Sequence, residues 1–324
     1  MMALKTDYKD YIPPSGGRKY KITANSDGSS SVEDITQYQQ VGDTWGAEDI
    51  NQVNKLVNGA VYPNLLDNSD FTNLVNQRGE AVYDYLTGIG YGPDRWQLVE
   101  AKYTLASQTV TSTGSSHTYG SQLRQIIPLE KIKIGDTVTA SISTESGILN
   151  GTAKLELKID TSVSDLPYVI EQDWGGVKIG CIKENVCHVI VFLKENKSVK
   201  INWVKLEKGS VATPYVPKAF GDEFLECLRY FVGGVGIGSA GIVSGSTFRV
   251  LIPTPVPMRT APSVTVKVAD NVVYNGTFKA LNTTVSNITR QRNGIHLHIG
   301  MAASGVNNYP GIAYGLQCDL SADL

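Results

Sequence analysis

The stretch RNGIHLHIG, Arg292 to Gly300, carries two of the chain's four histidines one residue apart. Successive side chains of a β-strand point to opposite faces, so His296 and His298 share one face while Ile295, Leu297 and Ile299 share the other. Paired imidazoles are metal-ligand chemistry, but two ligands do not complete a coordination shell and the flanking sequence supplies no more. The pair reads as an amphipathic strand with a solvated or subunit-facing His edge, and becomes a metal site only where several copies of that strand meet. A second chemistry rests on carboxylates. Asp165, Glu171 and Asp173 lie close together, and glycoside hydrolysis needs two such groups across the scissile bond; closeness within one loop does not by itself place them there. Trp174, in the polar turn EQDWGG, offers a third. Its ring can stack on a sugar while Asp173 and Gln172 take the hydroxyls, or it can simply fold over the edge of a β-sandwich. Cys181, Cys187, Cys227 and Cys318 match no zinc or redox spacing and read as buried structural thiols. The chain contains no G-x-S-x-G, H-E-x-x-H or phosphate-loop motif. The glycines of VGGVGIGSAGIVSGS lack the strand-to-helix setting of a nucleotide fingerprint and read as a flexible turn region. No enzymatic activity is expected.

The elements that would position these groups are mostly strands. The chain has 324 residues and a formal charge of -2, from 29 basic and 31 acidic side chains spread evenly. No cationic stripe of the kind a nucleic acid requires is visible, so nucleic acid is excluded as a partner. The N-terminal residues hold no apolar core long enough for a secretory signal. No apolar run reaches the length that spans a bilayer, so membrane insertion is not expected.

Three segments follow from the pattern, with boundaries at 61/62 and 218/219. Residues 1–61 are polar and irregular until TWGAEDINQVNKLVNG, where Ile50, Val53 and Val57 recur at helical spacing behind Thr44 and ahead of Asn58-Gly59. So narrow a stripe cannot stabilise a helix alone and needs a partner surface. Residues 62–218 hold the runs AKYTLASQTV, DTVTASIS, AKLELKI, VCHVIVFL and VKINWVKLE, separated by Gly, Asn, Asp and Ser, which predicts an antiparallel sandwich. Trp96 and Trp203 lie within it and are expected in the core. Residues 219–324 open with a second helix, GDEFLECLRYF, whose Phe224, Cys227, Leu228 and Phe231 form an apolar stripe, and continue as a smaller sandwich. Pro253, Pro255, Pro257 and Pro262 mark an edge or a crossing between sheets. The fold class expected is mainly β: two antiparallel β-sandwich domains, the central one jelly-roll-like, linked by short helices and preceded by an N-terminal segment. Turn-rich stretches after the second helix offer Tyr274, Asn307, Asn308, Tyr309 and Tyr314 as a recognition cluster.

Two phrases occur together that point to a family. NLLDNSDF (64–71) leading to PDRWQ, and WVKLEKGSVATPYVPKAFGDEFLECLRYF (203–231) followed by IPTPVPMRTAPSV (252–264), resemble the tail-fibre and receptor-binding proteins of bacteriophages and prophages. DTWGAEDINQVNKLVN (43–58) is similar to the segments by which such fibres join the baseplate. The resemblance implies a homotrimeric adhesin of the virion tail, assembled in the host cytoplasm, with its N-terminus on the baseplate. It further implies a carbohydrate-binding-module-like sandwich and a cell-surface glycan as receptor. Ile50, Val53 and Val57 would then line one trimer bundle, and Phe224, Cys227, Leu228 and Phe231 another, each buried side chain contributing about 1.5 to 3 kcal/mol. The same resemblance leaves room for a fibre-borne glycan depolymerase or a baseplate adaptor that touches no host. Some phage fibre tips carry Gly-x-His-x-His, which Gly294, His296 and His298 match. Three copies would present six imidazoles, an octahedral set for an axial transition metal; no other cofactor is expected.

Overall fold

In the computed structural model, residues 12, 14–39, 50, 53, 57, 63–113, 120–158, 162, 165–182, 186–268, 271–274, 277–291, 294–301 and 309–322 are described. The chain divides into two units, Met1–Val61 and Tyr62–Leu324. The first contains an antiparallel hairpin, β1 (Tyr20–Ala24) and β2 (Ser30–Asp34), with Ile22 opposite Val32 and both exposed. The turn closes on Asp27, whose carboxylate accepts from the Ser29 amide and hydroxyl. Ile50, Val53 and Val57 are helical, as expected, and all three are exposed.

The second unit begins as a two-sheet sandwich. Its strands are β3 (Val82–Asp84), β4 (Ile89–Tyr91), β5 (Gln97–Val99), β6 (Lys102–Thr104), β7 (Thr109–Thr111), β8 (Ser121–Ile127), β9 (Thr137–Thr144) and β10 (Gly147–Lys154). They continue as β11 (Leu157–Lys158), β12 (Tyr168–Gln172), β13 (Gly175–Ile182), β14 (Val186–Leu193) and β15 (Ser198–Lys208). One sheet runs β10-β9-β15-β7-β6-β3 and the other β11-β13-β14-β8-β5-β4, with β12 also on β13. All pairings are antiparallel except the short β11–β13 contact. DTVTASIS and VCHVIVFL form strands as expected. AKYTLASQTV does not run as one strand: it turns at residues 105–108, with Gln108 at φ 57°, and its halves pair as β6 and β7.

Alternation explains the core. Val138, Ala140 and Ile142 of one sheet meet Val177, Ile179, Val189 and Val191 of the other, all buried. Trp96 is fully buried, 5.1 Å from the Phe71 ring, with its indole N–H donating to the Asn68 carbonyl. Trp203 departs from its expected place. It is only half-buried and stacks at 4.6 Å on Tyr215, in the segment that leaves the sandwich. Cys181 and Cys187 also depart from expectation: they are disulfide-bonded, because the β13–β14 hairpin sets them directly opposite each other. Cys227 and Cys318 are buried free thiols.

Helix α1 (Phe220–Leu228) leads to β16 (Phe231–Ser244), β17 (Thr247–Pro253), β18 (Ser263–Val268), β19 (Asn271–Tyr274), β20 (Thr277–Gln291), β21 (Gly294–Met301) and β22 (Tyr309–Ser321). Their pairings run β16-β17-β21-β20-β19-β22 and return from β22 to β16, so the antiparallel sheet closes into a ring with β18 added on β22. Three strands of 13 to 15 residues carry these pairings, each bonded to neighbours on both sides. Register shifts in β16 and β20 supply the bends. VGGVGIGSAGIVSGS is thus mostly strand and not a turn. At Gly241 an added Cβ would sit 2.2 Å from the Arg249 carbonyl oxygen and 2.8 Å from the Phe248 ring. That glycine lets two strands and a buried aromatic pack closely. The proline-rich run 253–262 ends β17 and crosses to β18, as expected of residues that cannot donate to a ladder.

Candidate functional site

NLLDNSDF and PDRWQ fold into a single polar joint between the sandwich and the ring of strands that follows it. Asn68 adopts a left-handed conformation, φ 52°, and its side chain donates to the Val75 and Asp94 carbonyls and accepts from the Val75 amide. That turn directs Asp67 inward. Its carboxylate, 1 % exposed, meets Lys131 at 2.6 Å, Arg95 at 3.3 Å and Lys218 at 3.5 Å. Burial alone would push the Asp67 carboxyl up, but Lys131, Arg95 and Lys218 outweigh it and hold the group below its ordinary range. The Arg95 guanidinium lies 3.4 Å from the centroid of the Tyr230 ring, just beyond α1. Glu223 of α1 accepts the Asn68 amide and faces Lys218 at 3.6 Å; burial raises its carboxyl. Gln77 donates both to Asp94, at 2.6 Å, and to the Phe231 carbonyl, at 2.9 Å. The two phrases that carry the family resemblance therefore meet in space, across about 150 residues of chain, as the two sides of one joint.

Beside this joint lies a cleft of about 550 Å³. Tyr83, Tyr85 and Tyr91 line one side, Lys267 and Asp319 the other, with Arg78 over Phe231 on its floor, 3.8 Å from the ring centroid. Tyr85 lies flat because β4 carries Gly90 beneath it, where an added Cβ would sit 2.1 Å from the ring. Tyr83 is itself buried, with its hydroxyl donating to the Asn76 side-chain oxygen, and burial pushes its phenol up to about 12. Asp84, loosely paired with Lys102 at 3.6 Å, and Asp319, paired with Lys267 at 3.1 Å, add exposed and half-exposed carboxylates. Ring faces with carboxylates, cations and hydroxyls around them suit a polyhydroxylated ligand. In the sequence this cleft is marked only by the Tyr83, Tyr85 and Tyr91 cluster of VYDYLTGIGY, since Lys267 and Asp319 lie far along the chain.

The residues singled out from the sequence are scattered. Trp174 is half-buried and packs against the sandwich core, while its carbonyl accepts from the Lys194 amide. That is the folded-over alternative, and it leaves Asp173 exposed at the turn. Asp165 accepts from the Ser162 hydroxyl at 2.6 Å and Glu171 pairs with Lys194 at 3.5 Å; both are exposed. Tyr274 ends β19, Tyr309 begins β22 and Tyr314 lies within β22, so these three are on strands instead of recognition turns. Asn307 and Asn308 lie outside the described residues. The apolar stripe of α1 is spent inside the chain. Leu228 belongs to the core of the closed sheet and Phe224 packs against it, while Cys227 and Phe231 are buried. A trimer axis cannot use side chains already covered by their own chain; on this helix Phe220 and Leu225 are the exposed apolar groups.

His296 and His298 face outward from β21, with Ile295, Leu297 and Ile299 buried beneath. Their strand neighbours are Leu251 and Thr289 for His296, and Arg249 and Asn287 for His298. Among the described residues no group of three or more His, Cys, Asp or Glu side chains gathers to hold a metal ion. No helix among them is long and apolar enough to cross a membrane. Compared with family models, curated proteins and solved structures, the chain matches none of them.

A different histidine has an unusual setting. His188 of β14 is 5 % exposed, and burial together with the charge of Arg124 pushes its imidazole down to about 4. As pH falls below the ordinary 6.5, the unfolded chain binds the proton first, so stability declines between about pH 6.5 and 4. His188→Gln is expected to flatten that part of the stability profile. Denaturant midpoints across this pH range check it; an unchanged slope would remove His188 as the cause.

Proposed function

We propose that this chain is a non-enzymatic adhesin of the bacteriophage tail-fibre kind, which attaches a virion tail to carbohydrate on a host surface. The observation that carries the reading is the tyrosine-lined cleft at the joint, with charged and hydroxyl groups on both walls. The sequence phrases similar to tail fibres support it, since they build the joint that shapes this cleft. Non-enzymatic binding needs only such a surface, whereas a depolymerase needs two carboxylates set across a sugar bond. In this reading the N-terminal unit meets the baseplate and three copies associate, with Ile50, Val53 and Val57 free to pack between them.

Incubation of the purified chain with host wall polysaccharide tests this. Saturable binding without new reducing ends is expected, and release of sugar would replace the adhesin with a depolymerase. The double variant Asp84→Ala, Lys267→Ala changes two exposed side chains of the cleft and is expected to lose at least about 1 kcal/mol of binding. Sedimentation should give three times the chain mass. A stable monomer at micromolar concentration would overturn the trimer.

A further inference from the structure

We propose that the outer face of β4, β5 and β8, reaching His188 of β14, is a second binding site, selective for an anionic glycan that carries carboxylate or phosphate groups. The site shares Tyr91 with the junction cleft, but its anchor, Arg124, lies outside that cleft. Strand registers bring Tyr91, Gln97, Arg124, Ile190, Lys178 and Tyr168 opposite one another in turn, forming one row of side chains across six strands. Ile190 and Lys178 in its middle are buried, so the accessible stretch is Tyr91, Gln97 and Arg124 on β4, β5 and β8, roughly 10 Å across at about 4.8 Å between strands.

Arg124 is the anchor. It is half-buried in the row, and its Nε–H donates to Gln97 Oε1 at 2.8 Å. Among the described residues no carboxylate lies within ion-pair distance of it; burial lowers its pKa, opposed by the Tyr91 phenol. A half-buried guanidinium without a carboxylate partner presents a planar fork that matches a carboxylate or phosphate. The second observation is independent. His188 lies on the same face of the next strand, two residues from Ile190, and among the described residues its buried Nδ1 has no hydrogen-bond partner. A buried nitrogen in that state lacks the bond that a ligand hydroxyl would supply. Lys178, buried between the Tyr168 and Phe192 rings at 4.5 and 4.1 Å, adds positive potential further along the row. Asp165 and Glu171 act on Lys178, which places the ligand's charge at the Arg124 end. All of these side chains stand on paired strands, so the row is set before a ligand arrives.

The test is calorimetric titration of the full chain with three probes: a linear polyuronate, a phosphorylated dextran and neutral dextran of similar length. Binding of at least one anionic probe in clear preference to neutral dextran is expected, and the pair of anions tells carboxylate from phosphate. Arg124→Gln should weaken that binding by about ten- to a hundredfold, as loss of a charge-assisted contact does. Gln97→Glu places a carboxylate beside Arg124 and should weaken it similarly while keeping the thermal transition, which separates lost binding from lost folding. Equal affinity for neutral dextran, no binding of either anion, or binding indifferent to both substitutions would overturn the site. Each of those results leaves the cleft reading standing, because its own variant, Asp84→Ala, Lys267→Ala, lies outside the row.

Discussion

Asp67→Ala is expected to cost about 3–5 kcal/mol of folding stability, the loss that follows when one member of a buried ionic cluster is removed. The charge left behind is the reason. Arg95 is 2 % exposed at its side chain and loses the carboxylate that balances it beside the Ile126 carbonyl and the Tyr230 ring, while Lys131 and Lys218 lose a shared partner. Denaturant unfolding followed by circular dichroism measures it. Asp84→Ala is the control: its carboxylate is 52 % exposed and 3.6 Å from Lys102, so a change within about 0.5 kcal/mol is expected. Equal effects at the two positions would mean that the joint is not held by charge. The pH response has a definite sign as well. Asp67 titrates below its unfolded value of 3.8, so its contribution is complete above that pH and is lost as pH falls through the depressed value.

Trp96→Ala should be comparably severe, about 3–5 kcal/mol, since it empties a fully buried site packed against Phe71. Trp96→Phe separates the two parts of that loss. It keeps much of the ring volume but removes the indole donor, leaving the Asn68 carbonyl without its 2.6 Å partner, for which about 1–3 kcal/mol is expected. If Trp96→Phe costs nothing, the hydrogen bond contributes no net stability and Asn68 is held by its other contacts. Because Asn68 also receives Val75 and presents its amide to Glu223, the same variant is expected to loosen the docking of α1. Faster hydrogen exchange over residues 220–228 would report it.

Particular residues show where reading the chain succeeds and where it stops. VCHVIVFL is a strand because apolar residues crowd eight positions between polar breaks, and GIHLHIG is a strand with the alternation its letters spell. Those are properties of neighbours along the chain. AKYTLASQTV shares the same composition yet turns in its middle, because β6 and β7 gain more by pairing with each other than by continuing. The α1 stripe was legible as apolar, but its destination was not: the same Phe224 and Leu228 could cover a partner copy or their own core, and the core took them. The candidate sites were harder still. Tyr83, Tyr85 and Tyr91 lie near one another in sequence, whereas Lys267 and Asp319, which complete their cleft, are more than 170 residues away.

By itself the sequence determined the mainly β character, the places where most strands run, which face of β21 is buried, and that the region holding Ile50, Val53 and Val57 is helical and short of apolar partners. Periodicity decides these, since side-chain polarity along one segment already dictates which face leaves water. Only the tertiary structure decided that the last sheet closes on itself, that Cys181 meets Cys187, that the NLLDNSDF turn grips α1, and that Arg124 and His188 share one face. Each of these depends on register and on loops that bring distant segments together, and pairing energy between strands carries no mark in either strand alone.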